Sequence, residues 1–241
     1  MVALDATGMA VPLATQAAAD IIQTGDPEWC PAGKLPGDAS CTASYGAFNG
    51  GSGLLSDLKS NPATYSGNGT IYIAYDYQPT LTSGSVDVGG VTIDGNTLQG
   101  GGADGALGDL TLQGGWDFGL NSLSSSQNYT NFGSNPLTVK NWYGNVTIND
   151  VYFSKVPTGN GLTVLVTSGN IKVHHVHSDN NPLAGAQLDN SPGIGSSITV
   201  DGNSEFNGNT GNGITAFSGK NGDITLTDVT ANGNNGYGTY N

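Results

Sequence analysis

A short apolar–polar–apolar triplet recurs through the second half of this sequence, and its spacing is the strongest constraint on the fold. The triplets begin at Val146, Ile171, Ile198 and Ile224, at steps of 25, 27 and 26 residues. A period of this length, with β-branched residues and Gly/Asn turns, is typical of a solenoid whose coils bury their inner faces against their neighbours. The residues predicted to line the buried core are Ile171, Val173, Ile198, Val200, Ile224 and Leu226.

Asparagine recurs at one turn of the predicted coils. Asn181, Asn209 and Asn234 occupy this turn, and a glycine follows each of them by four residues. Stacked asparagines hydrogen-bond from coil to coil through their amides, which satisfies groups that burial would leave unpaired. We therefore predict a structural ladder of these three side chains.

The composition pattern divides the chain into three segments. Residues 1–28 are rich in alanine and threonine and are interpreted as a leader or as a strand donated elsewhere. Residues 29–80 are assigned to a disulfide loop and an N-terminal cap, which would cover the open β edge of the first coil. Residues 81–241 are assigned to the coils, whose C-terminal end is predicted to be uncapped.

The cap and the early coils carry more detailed signals. Apolar residues at helical spacing predict a short helix within residues 45–60, and residues 70–75 predict the first strong strand. Triplets at Val91 and Leu110 predict that the coils begin there with irregular spacing. The polar run 122–134 is predicted to be a projecting loop, where solenoids commonly place function.

The charge balance excludes several classes of partner. The formal net charge is −13, and all six basic residues are lysine. A surface of this sign repels nucleic acid, anionic membrane surfaces and acidic polysaccharides. No segment approaches the ~20 apolar residues of a membrane span. The remaining partners are cations, neutral glycans or another copy of the chain.

The two cysteines favour a disulfide over a metal site. Cys30 and Cys41 lie eleven residues apart in a Pro/Gly-rich stretch. A structural metal site would need four ligands, and neither a CxxC motif nor a nearby histidine is present. A disulfide implies an oxidising compartment, so we predict an extracellular or cell-surface protein.

The asparagine-laddered coils resemble the right-handed parallel β-helix superfamily, which includes pectate lyases, polygalacturonases and many bacterial surface proteins. The cap followed by the stretch Leu-Thr-Leu-Gln-Gly-Gly-Trp-Asp (110–117) is similar to β-helix surface proteins of environmental bacteria. The resemblance covers roughly residues 45–241. It implies an all-β, right-handed parallel β-helix with a cap that contains a short helix, and it is weak for activity because this fold carries enzymes, adhesins and stalks alike.

The catalytic patterns of those enzymes do not transfer to this sequence. Pectate lyases of the superfamily use bound calcium and an arginine base, and this chain contains no arginine. The Asn-Thr-Asp, Asp-Asp, Gly-His-Gly and Arg-Ile-Lys segments of polygalacturonases are also absent. Lys172 is the best-placed alternative base, but its aligned neighbours are threonines. We therefore predict no catalytic residues and no cofactor.

All three histidines cluster in the motif His174-His175-Val-His177. The coil alignment places His174 beside Asp201 and His175 beside Asp150. Three interpretations stay open: a metal site with His174, His177 and Asp201 as weak candidates, a His–carboxylate acid/base pair, or an exposed polar stripe without a site.

Two further sets of residues suggest ligands. Aspartates among glycines offer the hard oxygens that calcium prefers, although Gly/Asp turns without metal are common; they are Asp87, Asp94, Asp104, Asp109 and Asp117. Exposed aromatics would stack on neutral sugars, or else pack the irregular coil. The candidate glycan-binding residues are Trp116, Tyr129, Trp142 and Tyr143.

Together these signals predict a non-catalytic structural or adhesive module of an extracellular surface protein. Two alternatives remain. The chain is a subunit of a head-to-tail filament, with residues 1–28 completing the next subunit, or it is a polysaccharide-binding or polysaccharide-degrading protein.

Overall fold

The computed structural model describes residues 27–77, 87–100, 107–125 and 128–240. In these ranges the chain is mostly β-structure, and most strand pairs are parallel. The prediction of an all-β chain with parallel sheets is confirmed. The interpretation of residues 1–28 lies outside the described residues, apart from the last two, and Glu28 already belongs to the first strand.

Seventeen strands and two short helices make up the described part of the chain. The helices are α1 (Leu54–Ser60) and α2 (Gly95–Leu98). The strands before residue 145 are β1 (Glu28–Pro31), β2 (Gly67–Ala74), β3 (Val91–Asp94), β4 (Leu107–Asp117), β5 (Ser122–Leu123), β6 (Thr130–Gly133) and β7 (Leu137–Tyr143). The later strands are β8 (Val146–Ser154), β9 (Leu162–Ser168), β10 (Ile171–Asp179), β11 (Ala186–Asp189), β12 (Ile198–Asp201), β13 (Ser204–Glu205), β14 (Ile214–Phe217), β15 (Ile224–Leu226), β16 (Val229–Thr230) and β17 (Thr239–Tyr240).

The strands form two sheets between which the chain alternates. The larger sheet has the central order β1-β2-β4-β8-β10-β12-β15, and the second sheet has the order β17-β14-β11-β9-β7-β3. From β7 onward, successive long strands belong alternately to the second sheet and to the larger sheet. When the chain comes back to a sheet, its new strand pairs in parallel with the strand that it placed there one repeat earlier. We use "repeat" for the stretch from one strand of the larger sheet to the next.

The triplets align in the larger sheet as their spacing predicts. Ile171 lies opposite Val146 on one side and Ile198 on the other, and Ile198 lies opposite Ile224. Leu110 pairs with Val146 and extends the row toward the N-terminus. Side chains alternate between the two faces of a strand, so the first and third residues of each triplet point to the same side.

The predicted core is correct for four residues and wrong for the last triplet. Val173, Val200 and their triplet neighbours Ile171 and Ile198 are at most 1% exposed. Ile224 is only partly buried, and Leu226 is 38% exposed. The reason is that β15 is the outermost strand of its sheet in the described residues, so no further strand covers its other side.

The early part of the chain departs from the predicted boundaries. Val91 pairs with Leu137 in the second sheet, so it does not belong to the row of Leu110. The predicted helix within 45–60 begins only at Leu54, because turns containing Gly50 and Gly51 precede it. The predicted projecting loop 122–134 contains the strands β5 and β6, both paired in the larger sheet.

Aromatic rings fill the core where the early repeats are irregular. Phe132, in β6, is fully buried and packs on Phe48 and Phe153, with ring centroids 6.3 and 5.3 Å away. Tyr77 packs edge-on against Phe48 at 5.8 Å. Burying one such ring contributes about 1.5–3 kcal/mol, which explains why this polar-looking stretch does not project into solvent.

A bend in the left-handed backbone region recurs at the same place in the larger sheet. Asp150, His175, Gly202 and Asp228 have φ values of 56°, 51°, 72° and 54°. Aspartate and glycine adopt this conformation more readily than most residues. The bend interrupts the alternation of the strand, so His174 and His175 direct their side chains toward different neighbours.

Candidate functional site

The three histidines lie together on β10, in the middle of the larger sheet. Strand β8 pairs on one side of β10, and β12 and β13 pair on the other. Carboxylates on these neighbours meet the histidines from both directions. This arrangement, centred on His174, His175 and His177, is the strongest candidate site in the described residues.

His174 and Asp201 form a close pair across adjacent strands. The Nδ1 atom of His174 lies 2.5 Å from Oδ1 of Asp201, and Nζ of Lys172 lies 3.4 Å from the other carboxylate oxygen. Partial burial alone would raise the pKa of Asp201, but hydrogen bonding with His174 and attraction to Lys172 outweigh it and hold the pKa below its usual value. The His174 side chain remains 45% exposed.

His175 pairs with a carboxylate on the opposite neighbour. Its Nδ1 lies 2.7 Å from Oδ1 of Asp150, and the side-chain amide of Gln113 donates to the other oxygen of Asp150 at 2.6 Å. Asp150 is buried, and each of its two carboxylate oxygens has a hydrogen-bond partner. The pair joins three strands and fixes the His175 ring.

His177 lies among aromatic rings. Its ring centroid is 5.9 Å from that of Tyr129, 6.3 Å from that of Tyr152 and 5.4 Å from that of His175. Nearby, burial raises the pKa of the Asp179 carboxyl. His177 is therefore part of a mixed aromatic and acidic surface and does not join His174 and Asp201.

The predicted metal candidates do not converge. Among the described residues, one group places three or more potential ligand atoms within 4.8 Å of one another, and it consists of Glu28, Cys30 and Cys41. The two cysteines of that group form a disulfide, so they offer no thiolate ligands. His174 and Asp201 meet as an acid/base pair, but His177 supplies no third ligand.

The aspartates considered for calcium are dispersed and each has a structural partner. Asp87 is fully buried and accepts hydrogen bonds from the backbone of Phe48 and from the Tyr77 hydroxyl. The other described members cap helix α2 (Asp94), bind the backbone N–H of a neighbouring strand (Asp109) or close a turn (Asp117). Asp104 lies outside the described residues. These carboxylates therefore do not form the shared site that calcium would need.

The predicted glycan platform is wrong for both tryptophans. Trp116 is 8% exposed and packs on Tyr72, while Trp142 is 1% exposed and donates its indole N–H to the carbonyl of Gly108. Buried rings cannot stack on a sugar, and Tyr129 and Tyr143 are only partly exposed. These aromatics mainly pack the irregular repeats, as the alternative interpretation held.

The predicted asparagine ladder is present. The amide of Asn181 donates to Oδ1 of Asn209 at 3.0 Å, and the amide of Asn209 donates to Oδ1 of Asn234 at 3.1 Å. Each acceptor oxygen also binds the backbone N–H of the preceding asparagine. We call these three residues the buried ladder, because Asn181 and Asn209 are fully buried.

A second ladder, which the sequence reasoning missed, runs along the start of the strands in the larger sheet. In each step a backbone N–H donates to the side-chain oxygen of the residue one strand earlier, at 2.8–3.0 Å. We call this set the edge ladder; its members are Asn68, Asp109, Asn145, Asn170, Ser197 and Asp223. The available signal in the sequence was a small polar residue directly before the first aligned residue of each strand.

The two ladders run in opposite directions. In the buried ladder the N–H of an earlier repeat donates to a side chain of the later repeat, as from Asn181 to Asn209. In the edge ladder the later repeat donates, as from Asn170 to Asn145. Both place polar side chains where they bind strands together.

Cys30 and Cys41 form the predicted disulfide. Cys30 belongs to strand β1, which pairs antiparallel with β2, so the disulfide ties the loop that ends at Cys41 to this strand. A disulfide indicates a non-reducing environment. Of the helices in the described ranges, none has the length and apolar character needed to cross a membrane.

Comparisons with known proteins do not place the chain in a family. No protein-family model matches the sequence, and no match was found among the curated proteins or the solved structures.

Proposed function

We propose that this chain is a non-catalytic structural or adhesive module that works outside the cell and is built as a right-handed parallel β-helix. The observation that supports this best is the pair of ladders. They connect successive repeats at two separate places along the strand path, so side-chain hydrogen bonds at both places hold the body together. An alternation of parallel strands between two sheets, with repeats of constant register, is consistent with a β-helix.

The chemistry of the candidate site supports the same proposal. His174 and Asp201 make an acid/base pair, but they lie on the outer face of a sheet. Their third partner is Lys172, a cation that pairs with the same carboxylate. A nucleophile or second carboxylate at catalytic distance would be needed for the usual hydrolase mechanisms.

The enzyme alternative is supported by one observation, the 2.5 Å His174–Asp201 contact. A histidine oriented by a carboxylate is the arrangement of a general base. If the chain degraded polysaccharides, this pair would be its acid/base group. The two functions therefore predict different results for the same experiment.

The test is incubation of the intact chain with pectin, polygalacturonate and neutral β-glucans. We expect neither unsaturated products nor new reducing ends, with and without added calcium. The matched variant is His174→Ala. Turnover by the parent chain that this variant abolishes would refute the non-catalytic proposal and assign His174 to catalysis.

The filament alternative is supported by the outermost strands of the two sheets. Strands β15 and β17 each have a partner on one side only in the described residues, and Leu226 on β15 is exposed. An unpaired strand edge binds another strand readily. Sedimentation over a range of concentrations tests this: assembly that Leu226→Lys prevents would support it, and a monomer at high concentration would refute it.

A further inference from the structure

Three aromatic rings are exposed together on the second sheet. Phe217, Tyr237 and Tyr240 are 38%, 66% and 46% exposed. The ring centroids of Tyr237 and Tyr240 lie 5.6 Å apart, with their planes inclined by 28°. The Phe217 ring lies edge-on to Tyr240, with centroids 6.1 Å apart and planes inclined by 79°. The chain buries its largest aromatics elsewhere, so this concentration of exposed rings indicates an interaction surface.

The rings face outward from the sheet, although Tyr240 belongs to its outermost strand, β17, and Tyr237 lies just before that strand. Ile214 and Ala216 of β14 are buried, so Phe217, which alternates with Ala216, points to the outer face. Tyr240 lies opposite Thr215, which belongs to the same outer row. Another strand added to β17 would use its backbone groups and leave this face open.

Polar side chains on the adjacent strand β11 border the rings. Asp189 lies opposite Phe217, and Gln187 lies opposite Thr215. Because neighbouring strands are roughly 4.8 Å apart, the surface from β11 to β17 spans about 10 Å. We call Gln187, Asp189, Phe217, Tyr237 and Tyr240 the aromatic platform.

In each polar side chain of the platform, one oxygen atom accepts a hydrogen bond from the protein, and a second polar group is left for a ligand. The amide of Asn160 donates to Oε1 of Gln187 at 2.9 Å, and the N–H of Ser191 donates to Oδ1 of Asp189 at 2.8 Å. Within the described residues, the NH₂ group of Gln187 and Oδ2 of Asp189 have no hydrogen-bond partner. One oriented donor and one oriented acceptor therefore lie beside the rings.

From this arrangement we infer that the aromatic platform binds a neutral β-linked glucan, an inference that rests on the adhesive role proposed above. The flat C–H faces of β-linked pyranose rings stack on aromatic faces, while sugar hydroxyls bind the free amide and carboxylate groups. The chain's net charge of −13 disfavours acidic polysaccharides. The ligand is therefore uncharged, and the contact is non-catalytic.

Affinity electrophoresis of the intact chain tests this inference. Gels contain hydroxyethyl cellulose or mixed-linkage β-glucan as probes and polygalacturonate as the acidic comparison. We expect retardation by the neutral glucans alone. Tyr237→Ala and Tyr240→Ala should each weaken binding about fivefold to tenfold, which corresponds to about 1–1.4 kcal/mol for the loss of one ring contact.

Two control variants separate the ring contact from general surface effects. Tyr240→Phe keeps the ring and should bind within about twofold of the parent. Leu120→Ala removes an exposed apolar side chain elsewhere, 69% exposed in the parent, and should leave retardation unchanged. Circular dichroism and thermal melting of each variant verify that it is folded.

Several outcomes would overturn the inference. One is that neither neutral glucan retards the parent chain. Another is that the parent and the Tyr237→Ala/Tyr240→Ala double variant are retarded equally. A third is that the double variant loses self-association while its retardation stays unchanged. None of these results affects the proposed structural role, which depends on the ladders. Conversely, glucan cleavage would refute the non-catalytic function without removing the binding site.

Discussion

One oxygen atom of Asn209 satisfies two donors of Asn181. Its Oδ1 accepts the backbone N–H of Asn181 at 2.9 Å and the side-chain amide at 3.0 Å, and both residues are fully buried. A buried donor that loses its acceptor costs about 1–3 kcal/mol. This oxygen therefore matters more to stability than an ordinary hydrogen-bond acceptor.

The first prediction follows from that contact. Asn209→Ala should lower the free energy of unfolding by about 3 kcal/mol, because it strands two donors of Asn181 and removes the bond to Asn234. Urea unfolding followed by circular dichroism measures the change. Asn232→Ala is the matched control, since Asn232 is exposed, and it should shift stability by less than about 0.5 kcal/mol. Equal effects of the two substitutions would contradict a stabilising ladder.

The second prediction concerns the buried face of β12. Val200→Asp places an unpaired carboxylate among apolar side chains and should cost more than about 4 kcal/mol, which is enough to unfold several repeats. Thr199→Asp changes the neighbouring outward position and should be tolerated. Thermal melting compares the two variants, and a Val200→Asp chain that melts like the parent would show that the register is wrong.

The third prediction is a pH dependence that arises from Asp201. The pKa of this carboxyl is below its usual value of 3.8, so the folded state binds the proton less tightly than the unfolded state. Its contribution to stability is therefore complete above about pH 4–5 and is lost as the pH falls through the lowered pKa. Urea unfolding of the parent and of Asp201→Asn should differ near pH 5 and converge near pH 2.

The comparison needs a control in which the carboxylate is removed elsewhere. Asp223→Asn offers one, because Asp223 contributes only its backbone N–H to the edge ladder. Asp223 is exposed, so this variant shows what the loss of one negative charge alone does to stability at each pH. A gap between the parent and Asp201→Asn that stays constant over this range would show that the His174 and Lys172 contacts do not stabilise the fold through charge.

The fourth prediction tests the glycines that accompany the buried ladder. A Cβ atom on Gly185 would lie 2.8 Å from the amide nitrogen of Asn209 and 2.7 Å from the carbonyl oxygen of Ser178. Gly185→Ala should therefore destabilise the chain by about 1–3 kcal/mol, since backbone must shift to make room. Gly46→Ala, where the added Cβ meets nothing within 4 Å, should be neutral or slightly stabilising. Equal melting of the two variants would contradict close packing at the ladder.

The repeats could be predicted from the sequence because their signal is local and periodic. The alignment of Ile171 with Ile198 follows from spacing alone, and the ladder contact between Asn181 and Asn209 follows from the same register. The early part could not be predicted equally well. Val91 carries a triplet like that of Leu110, yet the two lie in different sheets, because a triplet specifies a strand and not its partner.

The candidate sites were harder to predict, since exposure depends on tertiary packing. Trp116 and Tyr240 are both aromatic residues close to glycines in the sequence. One is covered by Tyr72 and the other lies on an open sheet face. The contact of His174 with Asp201 was predictable from the register, whereas the separate environment of His177 depends on the rings of Tyr129 and Tyr152.

The opposite polarity of the two ladders has a consequence for how such a chain can grow. The repeats that contain Asn181 and Asn209 each give N–H groups forward at the buried ladder and backward at the edge ladder, so they offer the same complement of contacts to their neighbours. Duplication of one whole repeat would preserve both sets of bonds, whereas an insertion of half a repeat would break both. This part of the chain can therefore lengthen or shorten in whole units, so duplication of a repeat can change its length without a new core.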